Sequence, residues 1–160
     1  MNVRCGIGYD VHRFAAGRRL MLGGVHLEGE IGLAGHSDAD VLVHALIDAL
    51  LGAAGLGDIG QHFPDDDPRF AGADSRELLR RTVELLSRAG WRPLNVDSTL
   101  ITERPRLAPY LPAMRAALAE VSGLPEDGIS IKAKTNEGLG ALGKGEGIAA
   151  LAVALVERIA

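Results

Sequence analysis

Asp10 and His12 are the first residues of the chain whose types and spacing suit metal chemistry. In an extended segment, side chains two positions apart point to the same side, so these two can hold one ion. Aspartate and histidine are ligands of Zn²⁺, and catalytic zinc sites combine three protein ligands with an open fourth position. His44 lies on a mostly apolar helical pattern, where it is either the third ligand or a core histidine. Spacing alone leaves both interpretations open.

Two other segments contain residue types that suit phosphate. His36 precedes the first predicted helix, where free N–H groups and the helix dipole favour an anion, although the ordinary chemistry of a helix start explains it equally well. Residues 132–140 bring two lysines, a threonine, a glutamate and two glycines together at a strand exit. Oxygen ligands beside a phosphate suit Mg²⁺, so this segment either holds phosphate with a metal ion or is a plain strand exit.

Alternating strand and helix patterns would position these residues. Hydrophobic periodicity and turn residues predict strands over 3–8, 95–103 and 129–134, and helices over about 75–89 and 109–122. Residues 15–35 are rich in glycine and predict short extended pieces, whereas 56–73 predict a long loop of the kind that is often functional. The tail, 147–160, fits either helical spacing or a fully buried strand.

The helix that carries His44 is predicted from its capping residues and its apolar stripe. It would extend from an N-cap at Ser37 to a terminating glycine at Gly55. Asp40 and Asp48 each lie one helical turn from His44, so either carboxylate could orient the imidazole through a hydrogen bond. A ligand and its orienting partner would then come from the same helix.

The composition is that of a soluble globular protein, and we expect residues 1–160 to form a single domain. Of 160 residues, 47% are hydrophobic and 24% are charged, and the net charge of −4 provides no basic field for nucleic acid. The single cysteine, Cys5, excludes an internal disulfide and suits a reducing compartment. No signal-peptide pattern is present, and the longest apolar stretch, 148–156, is too short to cross a membrane. These features predict a cytoplasmic protein without nucleic-acid or membrane partners.

Seven segments, in order and without large gaps, together resemble the 2-C-methyl-D-erythritol 2,4-cyclodiphosphate synthase family. They are G-Y-D-V-H-R-F (8–14), the long segment 35–60, H-F-P-D-D-D-P (62–68), G-A-D-S-R-E-L-L (72–79), N-V-D (95–97), I-K-A-K-T-N-E-G-L-G (131–140) and G-K-G-E-G-I-A (143–149). Several long and chemically unusual segments that match at once make a specific signal. The resemblance makes His44 a metal ligand and makes the acidic loop part of a substrate site.

The resemblance implies a lyase, the fifth enzyme of the non-mevalonate isoprenoid pathway. Its substrate would be 4-diphosphocytidyl-2-C-methyl-D-erythritol 2-phosphate, whose 2-phosphate attacks the β-phosphorus of the same molecule. The products would be CMP and 2-C-methyl-D-erythritol 2,4-cyclodiphosphate. No protein nucleophile is required, so positioning and charge stabilisation would supply the catalysis. The sequence accordingly offers no Ser/His/Asp or Cys/His nucleophile set.

The same resemblance implies two metal sites and two catalytic groups. The first site would hold one divalent metal per subunit, Zn²⁺ or alternatively Mn²⁺, on Asp10, His12 and His44. Glu137 would help to hold a second ion, Mg²⁺ or Mn²⁺, at the substrate diphosphate. His36 and Thr135 would stabilise the transition state, in which charge develops on the reacting phosphates.

The substrate-binding residues that the resemblance implies fall into three groups. The part that holds the metal and the methylerythritol phosphate consists of Asp10, His12, His36, Ser37, Asp58, Ile59, Gly60, Phe63, Pro64, Asp65, Asp66 and Asp67. The cytidine diphosphate pocket consists of Thr102, Glu103, Arg104, Pro105, Arg106, Leu107, Ala108, Lys134, Thr135, Asn136 and Glu137. Ala141 and Lys144 would line a cavity for isoprenoid diphosphates. Many members have Phe and Arg at those two positions, so we expect weaker binding there, because lysine lacks the bidentate guanidinium.

The family fold is α+β and chorismate-mutase-like, with a single mixed sheet and helices packed on one face. Three subunits pack their sheets around an axis, so the resemblance implies a homotrimer with active sites at subunit interfaces. It also assigns the tail to a strand, because a core that buries both faces of a sheet removes the alternation. Two other functions compete: a metal-dependent phosphohydrolase, which would release inorganic phosphate, and a trimeric metal- or isoprenoid-binding module, which would release no CMP.

Overall fold

The computed structural model describes residues 2–159. Its strands are β1 (Val3–Ala15), β2 (Leu20–Leu22), β3 (Val25–Leu27), β4 (Gly32–Leu33), β5 (Trp91–Ile101), β6 (Ile129–Lys134) and β7 (Gly147–Arg158). Its helices are α1 (Val41–Ala54), α2 (Ile59–His62), α3 (Ser75–Arg88), α4 (Leu111–Ser122) and α5 (Gly140–Gly143). Within residues 2–159, none of the helices has both the length and the apolar character needed to cross a bilayer.

Five strands form one mixed sheet in the order β4-β1-β7-β5-β6. The β5–β6 pair is parallel and the other pairs are antiparallel. The strand predicted over 129–134 coincides with β6, whereas β1 continues to Ala15 and β5 begins earlier, at Trp91. The tail forms β7 in the middle of the sheet, so the strand interpretation of that segment is confirmed.

β2 and β3 form a separate two-stranded hairpin, which the expected single sheet does not include. Its turn is Gly23-Gly24, whose φ angles are 57° and 75°. Two successive positive φ values are what a type I′ hairpin turn requires, and glycine adopts them without steric cost. Leu20, Leu22 and Leu27 of the hairpin are fully buried. The glycine-rich segment therefore contributes to the hydrophobic core.

The helices cover one face of the sheet, and α1 lies directly on β1 and β7. Gly6 and Gly8 make this close approach possible. A Cβ atom at Gly6 would lie 2.1 Å from the carbonyl oxygen of Ala49, and one at Gly8 would lie 1.9 Å from that of Ala45. No side chain fits at either position, so the backbones of β1 and α1 are in direct contact.

α1 begins later than predicted, because its N-cap is Asp40 and not Ser37. The Asp40 carboxylate accepts hydrogen bonds from the backbone N–H groups of Val43 (3.1 Å), Gly23 (2.9 Å) and Gly24 (2.7 Å). This fully buried carboxylate therefore fixes the hairpin turn against the start of the helix. The other end of α1 is as predicted, with a left-handed glycine of φ 72° as the C-cap.

The predicted long loop contains short helical turns, and aspartates cap them. α2 and the 3₁₀ turn Pro68–Phe70 both lie within 56–73. The side chains that cap α2, this turn and α3 are Asp58, Asp67 and Asp74. An aspartate at the N-cap satisfies a backbone N–H that has no partner within the helix. The acidic composition of this region is thus partly structural.

The face of the sheet opposite the helices is apolar and exposed. Ile7, Tyr9 and Val11 of β1 are 71%, 55% and 47% exposed. Val153 and Leu151 of β7 pair with Ile7 and Tyr9, and they are 45% and 39% exposed. We call these five residues the apolar sheet face. Contiguous exposed apolar residues of this kind mark interaction surfaces.

Candidate metal centre

β1 and α1 bring the three predicted metal ligands together. Asp10 and His12 lie on the face of β1 that contacts α1, and His44 approaches them from α1. One donor atom from each residue lies within 4.8 Å of the other two. Oδ2 of Asp10 is 2.8 Å from Nε2 of His12 and 3.1 Å from Nδ1 of His44. No second cluster of histidine, cysteine and acidic donors occurs among residues 2–159.

This donor set fits a zinc-type ion. Zn²⁺ takes carboxylate oxygens and imidazole nitrogens, and three protein ligands leave a fourth position open. Ligand atoms about 2.1 Å from a tetrahedral ion are about 3.4 Å apart. Asp10 lies slightly closer than that to His12 and His44, at 2.8 and 3.1 Å. Small movements of the three side chains are therefore enough to exchange the hydrogen bonds for metal bonds.

Hydrogen bonds on the outer side of both imidazoles fix their orientation. Nδ1 of His12 lies 2.6 Å from the carbonyl oxygen of Ala34, to which it donates, so Nε2 faces the cluster. Nε2 of His44 lies 3.1 Å from Oγ of Ser37 and 3.0 Å from Oγ of Ser75. The nitrogen that faces the cluster is thus Nε2 in His12 and Nδ1 in His44. Outer partners of this kind orient metal-binding histidines in proteins.

The carboxylates of Asp40 and Asp48, which were predicted to orient His44, form hydrogen bonds elsewhere. Asp40 points to the hairpin turn, and Asp48 accepts a hydrogen bond of 2.7 Å from the backbone N–H of Ile59. Ser75, which sequence reasoning missed, is fully buried at the start of α3. The only sequence signal for Ser75 is its place after a capping aspartate, since its contact with His44 is created by the packing of α1 against α3.

The protonation states of the cluster stabilise one another. Burial raises the pKa of Asp10, but the neighbouring imidazoles of His12 and His44 outweigh burial and hold this pKa well below its ordinary value. Burial lowers the pKa of His12, but the hydrogen bond and charge of Asp10 outweigh burial and raise it. A proton on His12 and the negative charge on Asp10 therefore favour each other before a metal binds.

The cluster opens into a cleft of about 180 Å³. Predicted site residues that line the cleft are Asp10, His12, His36, Ser37, His44, Ile59, Gly60, Phe63 and Asp65. Asp48, which was predicted only as a partner of His44, also lines the cleft, and sequence reasoning missed three further lining residues, which are Gly35, Phe70 and Leu78. Phe70 and Leu78 are buried apolar side chains, whose types give no functional signal. Asp58, Pro64, Asp66 and Asp67 belong to the same loop but do not line this cleft.

The backbone around His36 is held by contacts from distant residues. The two terminal nitrogens of Arg18 donate to the carbonyl oxygens of Gly35 (2.9 Å) and Ser37 (2.6 Å), on either side of His36. Nε2 of His36 lies 3.2 Å from the carbonyl oxygen of Asp67. Since α1 begins only at residue 41, His36 does not lie at the helix N-terminus, and the dipole argument for an anion there is wrong. Sequence reasoning also missed Arg18.

The two segments of the predicted cytidine diphosphate pocket lie against each other. The backbone N–H of Thr102 donates to the carbonyl oxygen of Lys134 at 2.9 Å. Oε1 of Glu103 accepts hydrogen bonds from the backbone N–H groups of Asn136 (2.9 Å) and Gly138 (3.3 Å). The carboxylate of Glu103 and backbone groups thus hold this segment beside residues 134–138. The Arg104–Pro105 bond in the same pocket segment is cis.

Thr135 and Glu137, a predicted catalytic residue and a predicted metal ligand, form a local pair away from the Asp10 cluster. Oγ1 of Thr135 donates to Oε1 of Glu137 at 3.4 Å, and both residues are exposed. Glu137 has a φ of 52°, an uncommon left-handed conformation for a residue with a side chain. The structure therefore brings these two residues together, and neither of them lines the metal cleft that contains His36.

The metal cleft and the cytidine segments lie at the same end of the sheet, separated by two strands. Backbone partners cross the sheet in one row from Val11 through Ala149 and Ile101 to Lys134. Three strand spacings correspond to about 14 Å between the first and last of these backbones. None of the residues that line the metal cleft comes from 102–108 or 134–137.

Ala141 and Lys144 lie at the short helix α5, which precedes β7. Ala141 lines a second cavity of about 510 Å³, together with Val11 and Phe14. Lys144 follows the last residue of α5, and its backbone N–H donates to the carbonyl oxygen of Gly140 at 3.0 Å. The role predicted for Ala141 and Lys144 in binding isoprenoid diphosphates stays a prediction.

The sequence and the fold of this chain match those of known proteins. A sequence profile of the YgbB family matches residues 3–157. The 2-C-methyl-D-erythritol 2,4-cyclodiphosphate synthase of Dechloromonas aromatica is 60% identical over 159 residues, which cover 99% of each chain. A solved structure of a CDP-bound 2C-methyl-D-erythritol-2,4-cyclodiphosphate synthase is 42% identical, with a TM-score of 0.88 over 96% of this chain and 100% of that one.

A longer protein contains the same fold. The bifunctional IspDF of Campylobacter jejuni is 40% identical and superposes with a TM-score of 0.95 over 99% of this chain. This chain spans 43% of the length of that protein. Sequence and structure thus agree over nearly the whole chain, and the chain belongs to the YgbB family, together with relatives named 2-C-methyl-D-erythritol 2,4-cyclodiphosphate synthase.

Proposed function

We propose that this chain converts 4-diphosphocytidyl-2-C-methyl-D-erythritol 2-phosphate to 2-C-methyl-D-erythritol 2,4-cyclodiphosphate and CMP. An oxygen of the 2-phosphate forms a bond to the β-phosphorus. The bond from the β-phosphorus to the bridging oxygen breaks, and that oxygen leaves with CMP. The observation that carries the proposal is the Asp10, His12 and His44 cluster in its cleft. The chain that contains it is 60% identical to a named synthase over 99% of its length.

The metal cleft is proposed to hold the methylerythritol phosphate end of the substrate. Asp10, His12 and His44 would hold a zinc-type ion, which supplies Lewis-acid polarisation of a phosphate when bound. His36 and Ser37 at one wall, and the loop from Asp58 to Asp67 at the other, would position the 2-phosphate. Arg18 supports this role, because it fixes the carbonyl groups on both sides of His36.

The segments 102–108 and 134–137 are proposed to bind the cytidine diphosphate end. Their backbone N–H and carbonyl groups would contact the cytosine, and Lys134 would add a positive charge near the diphosphate. Thr135 would donate to the reacting phosphates, and Glu137 would help to hold Mg²⁺ or Mn²⁺ between them. The pairing of Thr135 with Glu137 supports a joint role for these two residues.

We further propose that the active form is a homotrimer and that each active site lies between two subunits. Two observations support this. The apolar sheet face consists of five large side chains that are 39% to 71% exposed in the single chain. The two halves of the site lie about 14 Å apart across the sheet of one chain. Packing of the apolar sheet faces around an axis would bury these side chains and bring the metal half of one subunit to the cytidine half of the next.

The remaining assignments follow from the same proposal. Residues 1–160 would act as one cyclodiphosphate synthase domain in the cytoplasm. Ala141 and Lys144 would lie near the trimer axis, in a cavity that binds isoprenoid diphosphates less tightly than in members with Phe and Arg at these positions.

Incubation of the protein with the proposed substrate, Zn²⁺ and Mg²⁺ tests the activity, with phosphorus NMR as the readout. We expect CMP and the cyclic diphosphate in equal amounts, and no inorganic phosphate. The His44→Ala variant serves as the control without a complete cluster. Release of inorganic phosphate by the wild type would favour the metal-dependent phosphohydrolase instead. Zinc binding without release of CMP would favour a function as a binding module instead.

A further inference from the structure

Ser75 connects the metal cluster to a second carboxylate, that of Asp38. Ser75 is fully buried, and its Oγ lies 3.0 Å from Nε2 of His44. Its backbone N–H donates to Oδ2 of Asp38 at 3.0 Å, and its hydroxyl donates to Oδ1 of the same carboxylate. Asp38 therefore holds Ser75 at two points, each with its own oxygen, and Ser75 in turn contacts the imidazole of His44.

The direction of these hydrogen bonds follows from the number of protons available. An ionised carboxylate only accepts hydrogen bonds, and a serine hydroxyl has a single proton to donate. Since the Ser75 proton is directed to Asp38, the Ser75 oxygen can only accept a hydrogen bond from His44. Nε2 of His44 must then carry a proton. In the neutral imidazole that a metal requires, this leaves the lone pair of Nδ1 facing the metal cluster.

Neighbouring groups do not impose the same tautomer. Oγ of Ser37 also lies near Nε2 of His44, at 3.1 Å, but it accepts a hydrogen bond from the backbone N–H of Ala39, so its own proton is free to point either way. The carboxylate of Asp10 lies 3.1 Å from Nδ1 of His44 and favours a proton on Nδ1, the nitrogen that would have to bind the metal. The orientation suited to a metal therefore depends on Ser75.

We propose that Ser75 and Asp38 are positioning residues that hold His44 in the Nε2–H tautomer and so raise the affinity of the cluster for a zinc-type ion. This inference rests on the proposed metal site at Asp10, His12 and His44. Ser75 would orient the imidazole of His44 in the same way as the carbonyl oxygen of Ala34 orients that of His12. Loss of such an outer partner typically weakens metal binding by about 10- to 100-fold.

The same contacts link the metal site to the segment that carries His36. The backbone N–H of Asp38 donates to the carbonyl oxygen of Ala73 at 3.1 Å, and that of Gly72 donates to the carbonyl oxygen of His36 at 2.8 Å. Residues 36–38 and 72–75 thus form one hydrogen-bonded unit. A change in the position of Ser75 therefore reaches both the imidazole of His44 and the backbone of His36.

Zinc titration of the full-length protein with a competing chelator tests the proposal. The variants are Ser75→Ala, which removes the hydroxyl, and Asp38→Asn, which replaces one of the two accepting oxygens by a donor. The matched control is Ser98→Ala, which removes another buried serine hydroxyl, one that donates to the carbonyl oxygen of Ser130. Nitrogen-15 NMR of the histidine rings reports the tautomer of His44, which a merely structural role of Ser75 would not change.

We expect zinc affinity to fall about 10- to 100-fold in Ser75→Ala and Asp38→Asn, with Ser98→Ala unchanged. In the zinc-free Ser75→Ala protein, the His44 signal should change from the Nε2–H toward the Nδ1–H form. Wild-type affinity and an unchanged tautomer in Ser75→Ala would overturn the inference, as would an equal loss of affinity in Ser98→Ala. If Ser75→Ala does not fold, Asp38→Asn decides by the same two measurements. Absence of zinc binding in the wild type would instead refute the metal site itself.

Discussion

The carboxylate of Asp48 accepts a hydrogen bond of 2.7 Å from the backbone N–H of Ile59. This contact joins the core helix α1, one turn after His44, to the first residue of α2. Asp58 caps the same turn through a hydrogen bond of 3.0 Å from the backbone N–H of Gln61. The wall of the metal cleft formed by residues 59 and 60 is therefore fixed from the helix that carries a metal ligand.

Replacement of Asp48 by alanine should loosen this wall. A hydrogen bond to a charged group contributes about 1.5–3 kcal/mol, so kcat/KM should fall about tenfold or more, mainly through KM. Asp48→Asn keeps an accepting oxygen and serves as the matched control, with a smaller loss. Steady-state kinetics at saturating zinc measures both variants. An Asp48→Ala enzyme with the KM of the wild type would show that the contact does not position the substrate.

Zinc affinity should depend on pH through His12, because a metal-binding imidazole must be neutral. Asp10 outweighs burial and raises the pKa of His12 above its ordinary value, so zinc must displace a proton below this raised pKa. Affinity should be constant at high pH and should fall about tenfold per pH unit for each displaced proton once the pH drops below the raised pKa. Chelator competition from pH 8.5 to 5.5 measures this, and a flat profile would contradict it.

His12→Ala should bind no zinc while remaining folded.

The stability of the metal-free protein should change with pH in the direction opposite to the zinc affinity. The folded-state pKa of His12 is above the unfolded value, so its protonation contributes stability that is complete below pH 6.5 and is lost as the pH rises through the folded pKa. Urea unfolding of the zinc-free wild type and His12→Ala proteins at pH 6 and pH 8.5 measures the difference. A larger destabilisation by His12→Ala at pH 8.5 than at pH 6 would contradict this sign.

Thr135→Ala should lower kcat more than it raises KM, because the proposed hydrogen bond to the reacting phosphates strengthens as charge develops. Loss of one such donor costs about 2.7–4 kcal/mol in comparable sites. Thr135→Ser retains the hydroxyl and is the control, and His36→Ala should show the same pattern as Thr135→Ala. An unchanged kcat in Thr135→Ala would remove this residue from the mechanism.

Mixing of inactive variants tests whether the site is shared between subunits. His12→Ala disables the metal half and Lys134→Glu disables the cytidine half, so neither variant alone should release CMP. After subunit exchange, some mixed trimers would combine an intact metal half with an intact cytidine half, and part of the activity should return. No recovery in any mixture, with exchange verified by mass spectrometry, would place a whole site in each chain.

Gly8→Ala should disrupt both the fold and the metal site. The new Cβ would lie 1.9 Å from the carbonyl oxygen of Ala45, a backbone atom that cannot move without α1. We expect a large loss of stability in urea unfolding and weaker zinc binding. Gly52→Ala is the control, since its nearest neighbour would be Ile7 O at 4.0 Å, and it should stabilise α1 by up to about 1 kcal/mol. Equal stability of the two variants would contradict the importance of the close contact.

The order of strands and helices could be predicted from the sequence because hydrophobic periodicity is local. The residue at which α1 begins could not be predicted from the sequence. Ser37, Asp38 and Asp40 are all residues that cap helices, and local chemistry does not choose among them. The choice is made by Gly23 and Gly24, whose N–H groups also bind Asp40 from a hairpin far away in the chain.

The metal ligands could be predicted, but the groups that orient them could not. Asp10 and His12 have the alternating spacing of one strand face, and the resemblance to a family supplied His44. The partner of His12 is the carbonyl oxygen of Ala34, and a backbone carbonyl has no sequence signature. The partner of His44, Ser75, lies on another helix, so only tertiary packing reveals it.

The direct contact of β1 with α1 at Gly6 and Gly8 has a consequence for sequence variation in this protein. The distance between His44 and Asp10 is set by main-chain atoms in contact, and main-chain atoms are common to all residues. Exchanges among leucines and valines elsewhere in the core should therefore alter the spacing of the ligands less than a side chain at Gly6 or Gly8 would. The spacing of β1 and α1 is in this way less sensitive to changes in the rest of the core, and Gly6 and Gly8 are the residues that constrain it.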